Sequence, residues 1–292
     1  MSEYTINLKS SVLAGPTDLS VIVPNPKSGG NARQFYSSGE TFKVLWLLHA
    51  GMGDRNDWLR DTNIGRFVVD RKVIVVMPTA LNSDFANHPE FADGYNFRDF
   101  FFDELMPFVH SWFPASDRPE DNFIAGFSMG AAGAWMYGLY RPDRFGGVAP
   151  VSSPPKNYSF LELHRNLSAS EFRARALADN KAFPTGYGDP KSGIKMKEIN
   201  MIAKYPTVGA FLDSYEHTWD RFREVVSAGR LPRIYLPCGT EDRMYQKVLQ
   251  LKQYAEELGA TGITYDFIHG EGGGFGFCDY ILPRMMDFFD IK

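Results

Sequence analysis

Residues 126–130 read Gly126-Phe127-Ser128-Met129-Gly130, and their flanks decide the fold. Before them Asp121-Asn122-Phe123-Ile124-Ala125 is a short apolar segment of the kind that forms a buried strand. After them residues 131–140 are rich in Ala and Gly with Trp135, Met136 and Leu139, and Pro142 stands just past their end, as expected for a helix. This is G-x-S-x-G between a strand and a helix, the setting in which the pattern holds a serine on a sharp, strained turn. On this reading Gly126 and Gly130 are glycines because a side chain would strike the neighbouring strand or helix. Ser128 is then presented above the sheet edge at the positive end of the helix. The plainer alternative is a serine that only caps the helix, with glycines there by chance.

Working outward, residues 4–14 and 18–24 alternate loosely about Gly15-Pro16 and predict a hairpin. Residues 42–48 and 73–77 are apolar runs expected to be buried strands. The first ends in His49-Ala50-Gly51-Met52-Gly53-Asp54, a turn that can leave backbone N–H groups free for a ligand. Phe97, Phe101, Leu105, Phe108, Val109 and Trp112 recur at helical spacing, which predicts an amphipathic helix over 97–112, kinked at Pro107. Residues 145–151, 233–238 and 263–268 predict three more strands, and 244–258 predicts a helix ended by Gly259. A glycine-rich loop at 270–274 precedes a closing helix.

A helix after nearly every strand predicts a mostly parallel sheet covered on both faces, the layout of an α/β-hydrolase. Residues 156–231 break the alternation. Ser168 and Glu171 form a capping box, 209–227 reads as one longer helix, and loops lie around residues 186–190 and Pro206. The expectation is one domain over 1–292 with 156–231 inserted as a helical cap. The aromatic side chains of that helix are expected to pack its own apolar face.

Composition narrows the function. A net charge of −4 gives no reason to expect nucleic acid or an anionic membrane as partner. Two cysteines, Cys238 and Cys278, are too few for a disulfide framework. No signal peptide or membrane-spanning run is visible, so a cytoplasmic protein is expected. The 270–276 glycines lack the phosphate-binding patterns and no strand follows to complete a βαβ unit. Asp54, Asn56, Asp57 and Asp61 miss the calcium-loop spacing and read as a solvated helix start. No metal or cofactor is expected. His88, His110, His164 and His217 lack paired ligand spacing and are taken as surface or core residues.

A serine hydroxyl needs a base to take its proton and an acid to orient that base. In this chain order the acid follows the strand after the elbow unit, where Gly239-Thr240-Glu241-Asp242 stands; Asp242 is preferred over Glu241. The oxyanion donors are the N–H of Met129 and of Gly51, with Ala50 as the neighbouring alternative. His49 reads as a structural hydrogen-bonder. The base belongs between the last strand and the last helix, where the only histidine is His269.

These segments together resemble the esterase D group of α/β-hydrolases, which includes S-formylglutathione hydrolases, tributyrin esterases and some feruloyl or acetyl esterases. Residues 47–54 with Trp58 are similar to that group's LLHGxxGN…W segment, residues 104–109 to its EELPxFV helix, and Gly126 to Gly130 to its G-x-S-M-G elbow. Residues 238–242 match its CGTED, whose Asp is the triad acid. The resemblance covers nearly the whole chain. It implies a serine esterase acting on small acyl esters or thioesters, with Ser128 as nucleophile, Asp242 as acid, and Gly51 and Met129 as oxyanion donors. It also implies a small-molecule ester as partner and a homo-oligomer as one assembly state. Two departures stand out. Ala50 replaces the first glycine of the oxyanion turn. In the group's closing GPGGHxW the histidine is the base, and here Phe275 stands at its position. Either His269 has taken over the role, or the base is absent and the chain is a non-catalytic relative that binds a ligand or partner.

Overall fold

The computed structural model describes residues 1–27, 29–89, 93–179 and 196–292. Eight strands form one sheet in the order β1-β2-β4-β3-β5-β6-β7-β8. They are β1 Ser2–Ser10, β2 Gly15–Val23, β3 Lys43–Leu48, β4 Val73–Pro78, β5 Asn122–Phe127, β6 Gly147–Val151, β7 Arg233–Gly239 and β8 Ile263–Ile268. β2 is antiparallel to β1 and β4, and all other pairings are parallel.

The central strands are continuous apolar runs because both faces are covered. In β3, Val44, Trp46 and Leu48 enter one core and Leu45 and Leu47 the other, as the two-residue period requires. The first core takes the elbow helix, Met129–Tyr140, through Ala134, Trp135 and Tyr137. The second takes the closing helix, Phe275–Phe288, through Ile281, Leu282 and Met285.

Three expectations need correction in detail. The hairpin turn is made by residues 11–14, with Ala14 at φ 49°, and Gly15 and Pro16 already belong to β2. Pro16 is tolerated there because β2 pairs with β4 only from Leu19 onward, so its missing N–H breaks no ladder on that side. The helical stretch 97–112 contains a π-helical segment, Phe100–Leu105, immediately before Pro107. The wider turn accommodates a ring that would otherwise meet the carbonyl one turn back. The helix expected over 209–227 is two helices, Val208–Leu212 and Thr218–Ser227. Between them the chain turns inward so that buried Glu216 can pair with Lys204 at 2.5 Å and accept the Tyr205 hydroxyl at 2.8 Å. His217 Nδ1 lies 3.1 Å from the Leu212 carbonyl, replacing a backbone partner there.

Between β6 and β7 the chain leaves the sheet and builds a small core of its own around Tyr158, Leu161, Phe172, Ile202 and Phe211. The capping box forms as expected: the Ser168 N–H donates to Glu171 Oε2 at 2.9 Å, and the Glu171 N–H to Ser168 Oγ at 3.2 Å. The loop expected around residues 186–190 lies outside the described residues. This segment docks on the loop after β4, where the Asn87 N–H donates to the Tyr215 hydroxyl at 3.0 Å.

Candidate active site

Ser128 stands between β5 and the elbow helix at φ 57°, ψ −113°, and its side chain makes no capping bond. That removes the helix-cap alternative and leaves an exposed hydroxyl on a strained residue. Such backbone costs roughly 1–3 kcal/mol and persists only where surroundings enforce it. The glycines show what enforces it. A Cβ on Gly126 would lie 2.3 Å from the Gly130 carbonyl, and one on Gly130 would lie 2.2 Å from the Leu48 oxygen and 2.8 Å from that of His49. The helix start is thus pressed onto the end of β3, which brings the serine turn and the 49–53 turn together. Met129 is the first residue of its helix, so its N–H has no partner within the helix.

The 49–53 turn is held by side chains from three directions. Buried His49 accepts the Ala80 N–H at Nε2 (2.9 Å), which leaves Nδ1 protonated to donate to the Ala50 carbonyl (2.6 Å). Burial lowers the pKa of His49, against smaller raising contributions from the Ala50 carbonyl, Asp57 and Asp54, so the ring is neutral and both nitrogens are committed. The Asp57 carboxylate accepts the N–H groups of Ala50 (3.3 Å) and Asp54 (3.2 Å). Asn82 Oδ1 accepts the Met52 N–H at 2.6 Å, fixing Met52 at φ 64°. The Gly53 N–H returns to the Ala50 carbonyl at 3.2 Å. Among the described residues the Gly51 N–H has no acceptor, while that of Ala50 is spent on Asp57. Trp58 closes the assembly from below, its Nε1–H donating to the Leu48 carbonyl at 3.0 Å.

The far side of the site is built differently. Asp242 Oδ1 accepts the Met244 N–H at 2.8 Å. The loop 270–274 crosses the end of β7, where the Glu241 N–H donates to the Glu271 carbonyl at 2.9 Å. It then passes directly over Asp242: a Cβ on Gly273 would lie 2.3 Å from Asp242 Oδ2. Glu241 is exposed, so Asp242 is the acid that faces the loop. Two residues on, the Phe275 ring packs 5.5 Å from Phe127 and 5.6 Å from Trp58, centroid to centroid. Phe275 therefore packs with Phe127 and Trp58 on the edge of the second core.

His269 is exposed, just past the end of β8 at the sheet edge. Among the described residues no hydrogen bond joins it to Ser128 or Asp242. The loop that follows it brings Phe275 against Phe127, the residue before the serine.

Residues 17–266 match the family described as "Putative esterase". This chain belongs to that esterase family. Its sequence is 27% identical to an acetyl esterase of Caldicellulosiruptor saccharolyticus over 274 residues, covering 94% of this chain and 92% of the relative. Its fold is similar to a fluorophosphonate-binding serine hydrolase of Staphylococcus aureus, with a TM-score of 0.72 at 22% identity over 100% of this chain and 99% of that one. It is also similar to an S-formylglutathione hydrolase of the same organism, with a TM-score of 0.69 at 23% identity over 99% and 98%. The architecture is the α/β-hydrolase fold.

Two positioning residues of this site, Asp57 and Asn82, were not read from the sequence in that role. Asp57 was expected to be a solvated acid at a helix start and is instead buried under the turn. Its signal was adjacency to Gly53, whose Cβ would lie 1.8 Å from Asp57 Oδ2. Asn82 reaches the turn from the loop after β4, and nothing local marks it. His49 was expected to be a structural hydrogen-bonder, and its bonds to Ala50 and Ala80 give it that role. No group of three or more His, Cys, Asp or Glu side chains among the described residues could hold a metal ion, and no described helix is long and apolar enough to cross a membrane. Cys238 and Cys278 are buried free thiols, and burial pushes the Cys238 thiol up to about 11.

Proposed function

We propose that the chain is a carboxylic-ester hydrolase that takes the acyl group of small esters or thioesters onto Ser128. One observation carries the reading: an exposed serine on a positive-φ elbow, its hydroxyl unspent on capping, beside the unpartnered N–H groups of Gly51 and Met129. Attack by Ser128 Oγ on a carbonyl generates an oxyanion, and fixed backbone donors stabilise such charge without reorganising. Asp242 is the acid of the site. Residues 156–231 act as a cap inserted in the single domain 1–292 and shape the acyl and alcohol pockets, docked as they are on the loop that supplies Asn82. The acetyl esterase relative supports a short acyl group, and the S-formylglutathione hydrolase neighbour supports thioesters.

The test is release of p-nitrophenolate from p-nitrophenyl acetate by the wild type, Ser128→Ala and His269→Ala. The reading expects loss in Ser128→Ala and no change in His269→Ala; activity that survives Ser128→Ala refutes it. A second reading, a relative that holds an ester without acylation, is favoured by the lack of any histidine bonded to Ser128 or Asp242 among the described residues. Stoichiometric labelling of Ser128 by a fluorophosphonate would count against it.

A further inference from the structure

β1 is an outer strand of the sheet, with β2 on one side and, among the described residues, no strand on the other. It runs for nine residues, Ser2–Ser10, and pairs with β2 without a break from Ser2↔Val23 to Ser10↔Gly15. Its free side carries the unpaired N–H and C=O groups of an edge, which proteins ordinarily blunt with proline, a bulge, a short strand or charge. β1 is long and has neither proline nor bulge. Its two charged residues, Glu3 and Lys9, are exposed, opposite in sign and symmetric about Ile6. The flank of this edge on the first-core face is aromatic. Ile6 and Leu8 pack on that core, as do Phe108 and Phe113. Glu104, Phe108 and Trp112 follow at four-residue intervals along one helical stripe. Glu104 accepts the Ser10 hydroxyl and the N–H groups of Ser11 (3.0 Å) and Val12 (3.1 Å) at one end of β1, and the Phe113 ring stands 6.0 Å from that of Tyr4 near the other. The stripe therefore lies along β1. Phe108 stacks on Trp112 at 5.7 Å, yet Trp112 is 77% exposed and Tyr4 47%.

We propose that β1 is the seam of a two-fold dimer, formed by antiparallel pairing with β1 of a second copy of this chain about Ile6. In an antiparallel ladder two opposite residues either both bond across the seam or both do not. Which residues of β1 can do so alternates along the strand, so opposite positions are both odd or both even, and a two-fold axis passes through a residue. Through Ile6 it pairs the whole strand: Ser2 faces Ser10, Glu3 faces Lys9, Tyr4 faces Leu8, Thr5 faces Asn7, and Ile6 faces itself. Opposite charges therefore meet twice, and apolar residues meet apolar ones. Moving the axis to Thr5 or Asn7 shortens the ladder and parts Glu3 from Lys9. The axis stands perpendicular to the sheet, so each copy keeps its aromatic stripe on the same face of the joined sheet, bordering the seam. The second copy then supplies the cover that Trp112 and Tyr4 lack. An isologous contact of this kind closes at two copies. Ser128 follows β5, separated from β1 by three strands, and the proposal does not depend on the reading of that serine.

The experiment is sedimentation velocity over a concentration series, with circular dichroism confirming that each variant is folded. The wild type is expected to be a dimer. Glu3→Lys and Lys9→Glu each set like charges opposite one another, and each is expected to weaken association by about 10-fold or more. The double exchange, Glu3→Lys with Lys9→Glu, is expected to restore it. Register is read separately with Ile6→Cys. Facing Cα atoms in an antiparallel ladder are about 4.5–5.5 Å apart, within disulfide reach, so mild oxidation is expected to link the two copies. Leu8→Cys is expected to give no link, because its two copies stand about 13 Å apart along the strands. The native Cys238 and Cys278 are buried and do not compete. A wild type that stays monomeric throughout the series overturns the proposal. So does a dimer that the single charge reversals leave intact, one that the double exchange fails to restore, or one linked as readily through Leu8→Cys as through Ile6→Cys.

Discussion

Two glycine-bearing turns at the C-terminal edge of the sheet, residues 49–53 and 270–274, frame the serine and are built on opposite principles. The first is tied down by His49, Asp57 and Asn82, and its backbone is arranged so that one N–H is left over. The second is tied by the bonds from Glu241 to Glu271 and from Gly270 to Thr240, and Gly270 and Gly274 sit at φ 76° and 104° with open space where a side chain would be. One turn is a fixed set of dipoles aimed outward. The other is a bridge whose task is to carry the chain over Asp242 to Phe275. The first is held by three polar side chains, and the second by one, the Thr240 hydroxyl.

The contrast can be broken most severely at the nucleophile. Ser128→Ala is expected to lower acylation by at least about 10³-fold while leaving the fold intact, since the elbow is enforced by its neighbours; labelling and circular dichroism check both halves. Next is the joint between elbow and turn. Gly130→Ala places a methyl group against the Leu48 and His49 carbonyls, and a loss of about 3 kcal/mol in urea unfolding is expected, at the upper end for overpacking. A third effect is one of pH. Burial holds His49 below its ordinary value of 6.5 in the folded chain, whereas the unfolded chain protonates near it. Protonation therefore favours unfolding: the stability contributed is complete above pH 6.5 and is lost as pH falls below it. His88 and His110 are lowered by burial too and add to the same slope. His49→Gln is expected to flatten that acid-side slope and to cost about 1–3 kcal/mol at neutral pH through the broken bonds. The smallest effect belongs to the bridge. Gly270→Ala meets no neighbour and pays only for its positive φ, about 1 kcal/mol. A loss at Gly270 as large as that at Gly130 would erase the distinction drawn between the turns.

Most of the architecture could be read in advance because its signals are local. Continuous apolar runs mark β3 to β7, and the 263–268 segment of edge strand β8 was read to the residue. The elbow was legible for the same reason: its glycines are demanded by contacts within a few residues of the serine or with the strand beside it. What escaped the sequence is long-range. The break at 213–217 depends on Glu216 finding Lys204, and the π-helical turn depends on how Phe100, Phe101 and Phe102 fill the first core. The support of the 49–53 turn depends on β4 lying next to β3, which brings Ala80 and Asn82 into reach.

The approach of the elbow helix to the Leu48 carbonyl has a bearing on how such a protein can change over time. Ser128 and the 49–53 turn are locked into one block, whereas Gly270, Gly272, Gly274 and Gly276 have nothing within reach of an added Cβ, so change at those four positions leaves that block untouched. A lineage could therefore vary the strap over Asp242 at those positions without rebuilding its scaffold.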